Sequence, residues 1–125
     1  FNLACAWARE HLDGKVTLAD LASEPFVLLD EGEQSLVLDA FAAHGLSPHV
    51  TSEVTDDYTI MAMVEEGLGV SMLYRRTGEG MQADIHVRPI VHAPSRDVVA
   101  AWRSWDTMPI ATRRFIDYMS SHIVN

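Results

Sequence analysis

The stretch Asp56–Tyr74, DDYTIMAMVEEGLGVSMLY, decides the fold class of this chain. Its apolar residues recur at the three-and-four spacing of a helix with one buried face: Ile60, Met61, Val64 and Leu68. Gly67 and Gly69 are then predicted to end the helix, because glycine adopts a left-handed conformation without steric cost. Val70–Leu73 follows at once as a short apolar strand. A helix that leads through a tight turn into a buried strand is the second half of a β-α-β unit.

Helical and strand patterns alternate on both sides of this stretch. The sequence before it predicts a buried strand at Phe1–Trp7, a connector at Ala8–Gly14, a helical turn at Leu18–Leu21, a strand at Phe26–Leu29, a helix from Val37 to His44 and a strand at His49–Val54. Thr17 and Asp20 form a partial capping box for the helical turn. The sequence after it predicts a loop at Arg75–Gln82, a strand at Ile85–Ile90, a turn region at Val91–Asp97, a β-type run at Val98–Trp105 and a last helix that starts at Thr107 and Pro109.

The order of these elements indicates an α/β fold with a mostly parallel sheet flanked by helices. Strands that alternate with helices favour parallel pairing through right-handed crossovers. The runs FVLL and VSML are almost continuously apolar, which is typical of parallel strands covered on both faces. Ligands bind beyond the carboxyl ends of the strands in such sheets. Three predicted turns meet at that edge: Asp30–Ser35, Thr55–Asp56 and Tyr74–Arg75.

The composition fits one globular domain and argues against several kinds of partner. Hydrophobic residues make up 48% of the 125 residues and charged residues 22%, so the chain is not of the disordered class. Its formal net charge is -9, and a chain so acidic is not expected to hold a DNA backbone or an anionic membrane surface. The single Cys5 excludes an internal disulfide. No apolar run reaches the roughly 20 residues of a membrane span.

Three segments resemble LysR-type transcriptional regulators. MVEEGLGVSMLY is similar to the family's MVxxGLGVxxLP, VTLADLASEPFVLLD (Val16–Asp30) to its VxLADLAxEPFILL, and MPIATRRFIDYM (Met108–Met119) to its closing SPAxRxFxDFL helix. The three segments keep the family's order, and the resemblance covers roughly Phe1 to Met119. The chain departs from the family at Tyr74, which replaces a proline, and at Arg75–Gln82, which replaces a helix.

The resemblance implies an effector-binding domain with the two-lobed fold of type II periplasmic binding proteins. It implies that residues 1–10 are a strand of the first lobe, residues 11–104 the second lobe, and residues 105–125 a helix that returns to the first lobe. It also implies a small-molecule effector between the lobes and a homodimer or higher homo-oligomer. DNA would be bound only by a helix-turn-helix upstream of Phe1, so we expect the chain to be a piece of a longer, cytoplasmic protein.

The sequence contains no recognisable catalytic or metal-binding motif. Its six histidines lack the spacing of a metal site such as HExxH, and Gly67-Leu68-Gly69 lacks the third glycine of a dinucleotide fingerprint. No GxSxG elbow is present. We therefore expect no enzyme activity, no cofactor and no metal.

An acidic turn, Asp30-Glu31-Gly32-Glu33, is the sharpest local feature. One interpretation is a solvated helix start, where the helix dipole favours carboxylates. The other is a side of the effector cleft, which would favour a polar or amine-bearing compound because carboxylates repel anions. Gln34 and Ser35 would supply neutral hydrogen bonds there, beside Thr55 and Asp56.

Tyr74 and Arg75 form a basic, aromatic pair at the carboxyl end of a strand. Arg75 could hold a ligand carboxylate through two parallel hydrogen bonds, although a surface salt bridge is the more common role of such an arginine. The predicted ligand-binding residues are therefore Asp30, Glu31, Gly32, Gln34, Ser35, Thr55, Asp56, Tyr74 and Arg75.

These observations favour the effector-sensing and oligomerisation module of a bacterial LysR-type regulator. The alternative is a solute-binding protein of a transport system with the same fold. Phe1–Trp7 has no predicted partner in the small sheet, and Met108–Ile123 carries an apolar stripe. We therefore expect the isolated chain to dimerise or to exchange these end segments between copies.

Overall fold

A computed structural model describes residues 3–7 and 15–123 of the chain. The predicted connector Ala8–Gly14 lies outside the described residues. The elements follow in the order β1 (Leu3–Trp7), α1 (Leu18–Ala22), β2 (Pro25–Leu29), α2 (Leu36–Ala43), β3 (His49–Val54), α3 (Asp57–Glu65), β4 (Val70–Tyr74), α4 (Arg75–Gly80), β5 (His86–Pro89) and α5 (Ile110–His122).

The strands form one sheet in the order β3-β2-β4-β1-β5. β2 pairs in parallel with β3 and β4, whereas β1 pairs antiparallel with β4 and β5. Only β1 runs against the other described strands, so the predicted mostly parallel sheet is confirmed. The expectation that Phe1–Trp7 has no partner in the small sheet is wrong, because Ala6 lies opposite both Ser71 of β4 and Val87 of β5.

Apolar side chains fill both faces of the sheet. Phe26 of β2 and Met72 of β4 pack on one face with α1 and α2, and the rings of Phe26 and Phe41 meet edge to face at 5.5 Å between centroids. Val27 and Leu73, whose side chains point the other way, pack with α3 on the second face. Both central strands are therefore covered on two sides, which explains their continuous apolar runs.

Helix α3 begins and ends as its sequence predicts. The Asp56 carboxylate accepts a hydrogen bond from Thr59 N at 2.8 Å, which caps the helix. At the other end, Gly67 has φ of +75° and its N–H donates to Val64 O, while Leu68 N–H donates to Met63 O. This pair of bonds is a Schellman motif. The predicted apolar face holds for three of its four members: Ile60, Met61 and Val64 are buried. Leu68 was assigned wrongly, because it lies beyond the helix end and is 57% exposed.

Gly69 has a different role from the one predicted. Its φ is not positive, so Gly67 alone supplies the left-handed turn. A Cβ atom at Gly69 would lie 2.6 Å from the carbonyl oxygen of Pro25. Glycine is therefore needed here because the backbones at the starts of β2 and β4 approach closely.

Two predicted elements are wrong. The predicted loop Arg75–Gln82 contains helix α4, in which Gly78 is buried and lies where a Cβ would be 3.1 Å from Val87 of β5. The glycine that suggested a loop instead permits a helix to approach the sheet. The predicted β-type run Val98–Trp105 forms no strand and is largely exposed, since a β-type sequence still needs a neighbouring strand to pair with.

Helix α5 forms where it was predicted but buries none of its residues. Phe115, on its predicted apolar face, is 59% exposed, while Ile116 and Met119 are half-buried. The assignment of this helix to another lobe, together with the division into residues 1–10, 11–104 and 105–125, stays a prediction.

Candidate functional site

The carboxyl ends of β2, β3 and β4 meet at one edge of the sheet. The N–H of Asp30, just after β2, donates to Val54 O at the end of β3 at 2.9 Å. The Tyr74 hydroxyl, at the end of β4, donates to Glu31 Oε1 at 3.1 Å. The parallel pairing of these strands places all three ends together, as the strand order predicts.

A cavity of about 420 Å³ opens at this edge. Three of its lining residues belong to the predicted site: Glu31, Gln34 and Tyr74. The others were not predicted: Leu36, Asp39, Ser95, Arg96 and Asp97. The cavity is therefore built by the turn after β2, the start of α2, the end of β4 and the segment that follows β5.

Glu31, Tyr74 and Arg96 form a closed polar cluster beside the cavity. Arg96 Nη1 lies 3.5 Å from Glu31 Oε1. The guanidinium carbon of Arg96 lies 4.4 Å from the centroid of the Tyr74 ring, which is the geometry of a cation–π contact. The Glu31 side chain is 19% exposed and the Arg96 side chain 53%. The cluster thus joins three segments that are distant in sequence, and it keeps the arginine accessible.

The environment of the cluster affects two ionisable groups. Burial raises the pKa of the Tyr74 phenol, and its hydrogen bond to Glu31 raises this pKa further. Burial also raises the pKa of Asp57, with smaller contributions from the negative charges of Asp56 and Glu31. The Tyr74 hydroxyl therefore stays a hydrogen-bond donor at neutral pH.

Several predicted site residues have local structural contacts. Asp30 Oδ1 accepts a hydrogen bond from the N–H of Gly32, whose φ is +96°. Ser35 Oγ caps α2 by accepting from Leu38 N at 3.2 Å. These contacts explain the sequence of the acidic turn without a ligand, so a ligand-binding role for these residues stays a prediction.

The remaining predicted residues lie around the same edge. Two hydrogen bonds from Thr59 lower the pKa of Asp56, and the bond from the Thr59 hydroxyl has a larger effect than the bond from its N–H. Thr55 is exposed in the turn before it. Arg75 Nε lies 3.8 Å from Glu79 Oε1, one turn further along the exposed side of α4. Arg75 thus forms a surface salt bridge, the second of the two roles considered for it.

A second cavity, of about 210 Å³, adjoins the first. Tyr74 and Arg96 line both cavities. The smaller cavity is completed by Arg76, Thr77 and Val98. It therefore extends the candidate site along the start of α4.

Comparison with known proteins decides the family. The family model described as the LysR substrate binding domain matches residues 1–123. The chain belongs to the LysR family. Over 104 residues it is 33% identical to the HTH-type transcriptional regulator YvbU of Bacillus subtilis, a match that covers 82% of this chain and 36% of YvbU. The chain thus spans about a third of that relative's length.

Solved structures support the same fold for this LysR domain. HinK, a LysR family transcriptional regulator from Pseudomonas aeruginosa, matches with a TM-score of 0.79 and 23% identity, over 93% of this chain and 43% of HinK. The BenM effector binding domain with its effector benzoate matches with a TM-score of 0.62 and 23% identity, over 73% of this chain and 46% of that one. The predicted family and the predicted periplasmic-binding-protein-like fold are confirmed.

The relatives also bear on the other functional predictions. The matched proteins are transcription regulators and not enzymes or transport receptors, so the solute-binding alternative is not favoured. Within residues 3–7 and 15–123, no three His, Cys, Asp or Glu side chains gather as a metal site would require. None of the described helices of this LysR domain is both long and apolar enough to cross a membrane.

Sequence reasoning missed Arg96, the basic residue that faces the cavity, and chose Arg75 instead. Arg96 lies in Val91–Asp97, which was predicted only as a turn region. β5 runs in the same direction as β2 and β4, so the chain after β5 emerges at the same edge of the sheet. The polar triplet Ser95-Arg96-Asp97 behind a predicted strand was the available signal.

Proposed function

We propose that this LysR domain senses a small-molecule effector at the carboxyl ends of β2 and β4. The observation that carries the proposal is the cluster of Glu31, Tyr74 and Arg96 beside a cavity of about 420 Å³. Small-molecule sites commonly have volumes of roughly 300–1,000 Å³ and a few convergent polar groups. An anionic, a cationic and an aromatic side chain converge here from three segments.

A ligand in this cavity would change how the segment after β5 is attached to the sheet. Arg96 connects that segment to Glu31 and to Tyr74. A ligand that competes for either side chain alters these contacts, and its differential affinity for the two arrangements shifts their populations. Residues 97–109 lead directly from Arg96 to α5, so the altered contacts lie next to the connection between the proposed lobes.

In the longer regulator, the cavity would form one side of the cleft between two lobes. In this proposal residues 11–104 supply this side together with β1, which lies in the same sheet, and residues 105–125 form a helix that returns to the first lobe. The exposed apolar stripe of α5 supports this division, because such a stripe requires a covering surface. Lobe closure around the effector would then move the attached DNA-binding domains. No chemical change of the effector, no cofactor and no metal form part of this proposal.

DNA binding is assigned to a helix-turn-helix outside this chain, in a cytoplasmic regulator. With a formal net charge of -9, the chain lacks the excess of Lys and Arg that neutralises phosphates. We expect no gel shift of duplex DNA by this chain at about 150 mM salt, where exposed charges are already well screened. A shift at micromolar protein would contradict the assignment.

We also propose that the regulator is a homo-oligomer. The unpaired strand that first suggested association is paired on both sides in the sheet, so this expectation now rests on α5, with Phe115 and Ile123 both exposed. Sedimentation over a concentration series should show reversible association of the chain, and Phe115→Glu should weaken it. A chain that stays monomeric at tens of micromolar would remove the support for association through α5.

A ligand screen by thermal shift tests the proposed sensing function. A ligand that binds only the folded state raises the melting temperature. We expect at least one polar small molecule to raise the melting temperature of the unmodified protein and of the Arg75→Gln variant by the same amount. It should raise that of the Tyr74→Ala variant much less. Equal stabilisation of all three proteins would show that the ligand binds elsewhere, and the proposed site would be wrong.

A further inference from the structure

Two cavities of opposite charge adjoin and share Tyr74 and Arg96. The larger one is lined by three carboxylates: Glu31, Asp39 and Asp97. The described lining of the smaller one contains two guanidinium groups, those of Arg76 and Arg96, and no carboxylate. Arg96 therefore lies between the negative and the positive surroundings, and it pairs with Glu31 of the larger cavity.

We propose that the paired cavities bind a zwitterionic small molecule, with its amine on the Glu31 side and its carboxylate on Arg96. This inference rests on the proposed sensing function, because it names the ligand class of the same site. It assigns Glu31 and Arg96 as the residues that determine specificity, so Arg96 takes the role that was predicted for Arg75.

The charges of the two cavities disfavour ligands with a single charge. A ligand with only a carboxylate would compete with Glu31 for Arg96 and would then lie close to the Glu31 carboxylate. A ligand with only an amine would have to lie beside the Arg96 guanidinium. A zwitterion places each charge next to a group of opposite sign, whereas like-charge contacts weaken the binding of the singly charged analogues.

The geometry of the Glu31–Arg96 ion pair allows a ligand to take its place. Arg96 Nη1 lies 3.5 Å from Glu31 Oε1, longer than the about 2.7–2.9 Å of a strong charge-assisted hydrogen bond. The Arg96 side chain is 53% exposed, so a ligand carboxylate can reach the N–H groups at the edge of its guanidinium from solvent. A zwitterion would supply a carboxylate to Arg96 and an ammonium to Glu31, which replaces both halves of the pair at once.

Tyr74 keeps the two charges in position for this exchange. Its ring supports the guanidinium at 4.4 Å and its hydroxyl donates to Glu31 at 3.1 Å. A tyrosine that contacts both members of the pair fixes their relative orientation whether or not they contact each other. Preorganised partners lose less entropy on binding, which favours the ligand.

A homologous series of ligands tests the inference by nuclear magnetic resonance on this chain. The probes are γ-aminobutyrate, δ-aminovalerate and ε-aminocaproate, compared with the fatty acids and the alkylamines of matching length. We expect at least one amino acid to shift the backbone amides of Gln34, Tyr74 and Arg96 with a Kd about tenfold below those of both analogues, the effect of one added charged hydrogen bond. Such titrations detect millimolar binding.

Variants of the chain show which residue pairs with each charge of the ligand. Arg96→Gln should remove the advantage of the amino acid over the alkylamine, and Glu31→Gln its advantage over the fatty acid. Arg75→Gln is the matched control, because it removes a neighbouring arginine that pairs with Glu79 on the surface of α4. Arg75→Gln should leave the affinities for the amino acid, the fatty acid and the alkylamine unchanged. If it weakens amino acid binding as much as Arg96→Gln does, the assignment to Arg96 is wrong.

The outcome separates this inference from the proposed function. If a fatty acid or an alkylamine binds as tightly as the amino acids, or if no probe shifts these amides at millimolar concentration, the zwitterion class is wrong. A neutral or singly charged compound that stabilises the regulator through Tyr74 in the thermal-shift screen would also overturn the class, while the sensing function would stand.

Discussion

Helices α3 and α5 are both amphipathic in sequence, but they have opposite environments in the fold. α3 buries Ile60, Met61 and Val64 against the sheet. α5, which is longer, buries none of its residues within the described chain. Apolar spacing therefore predicts a helix and its buried face, but it does not say which surface covers that face.

The contacts of the two helices explain this difference. α3 packs on β1, β2, β3 and β4, and packing of this kind supplies most of the stability of a helix in a protein. α5 is fixed mainly at its start, where Arg113 donates to Met108 O at 3.0 Å and to Asp106 O at 2.6 Å and faces the Trp105 ring. These contacts join α5 to the segment directly before it and not to the sheet.

Two phenylalanines, one on each side of this contrast, should differ strongly in their contribution to stability. Phe26 is fully buried in β2, and Phe115 is mostly exposed on α5. Phe26→Ala should lower the free energy of unfolding by about 3–5 kcal/mol, because it leaves a cavity in a packed core. Phe115→Ala should change it by no more than about 0.5 kcal/mol, as is usual for exposed sites. Urea denaturation followed by circular dichroism measures both values.

The two results together decide whether α5 is outside the core of the isolated chain. A cost above about 2 kcal/mol for Phe115→Ala would mean that a surface covers α5 in solution. In that case the cost should depend on protein concentration if the covering surface belongs to a second copy.

A glycine pair gives the next largest effect. Gly69→Ala would place a Cβ 2.6 Å from the Pro25 carbonyl oxygen, so the starts of β2 and β4 must separate. We expect a loss of about 1–3 kcal/mol, typical of overpacking. Gly80→Ala is the control, because nothing lies within 4 Å of its added Cβ and its φ is not positive. Equal urea midpoints for the two variants would contradict the close approach.

The sequence predicted most of the fold because its local signals agree with the tertiary structure. The capping box of Thr17 and Asp20 is present, with Thr17 N donating to Asp20 Oδ2 at 2.8 Å. Gly45 ends α2 with φ of +67°. Caps and turns are set by residues a few positions apart, so one sequence suffices to predict them.

The errors occurred where distant residues decide the structure. Gly78 suggested a loop, but it lets α4 approach Val87 of β5. The run at Val98–Trp105 has strand-forming residues but no strand beside it. β1 was expected to lack a partner, although it lies between β4 and β5. Pairing and close packing depend on the whole chain, and local propensity does not contain that information.

The position of the candidate site could be predicted from the sequence, but the full set of its residues could not. The rule that ligands bind at the carboxyl ends of parallel strands correctly selects the edge at which Glu31, Gln34 and Tyr74 line a cavity. It does not select Arg96, since the choice between two arginines depends on where β5 ends and how the chain continues. Whether a ligand contacts these residues stays a prediction.

The smallest expected effect concerns the pH dependence of stability at the start of α3. Burial raises the pKa of Asp57 in the folded chain, so the folded state binds this proton more tightly than the unfolded state does. Stability therefore falls as pH rises from the unfolded value, about 3.9, through the higher folded value. Asp57→Asn removes this loss, so the stability of the variant relative to the original chain should increase between about pH 4 and pH 7.

The change in stability should be small and should occur on α3 but not on α5. Asp57 is partly solvated, so the change should stay within about 0.5 kcal/mol. Asp117→Asn on α5 is the control, because its exposed side chain lies outside the packed sheet, and it should change stability little at either pH. Urea denaturation at the two pH values measures both variants. Attraction between the Asp57 carboxylate and the positive end of the helix dipole acts in the opposite direction to burial. A relative stability of Asp57→Asn that decreases toward pH 7 would show that this attraction outweighs burial and the repulsion from Asp56 and Glu31.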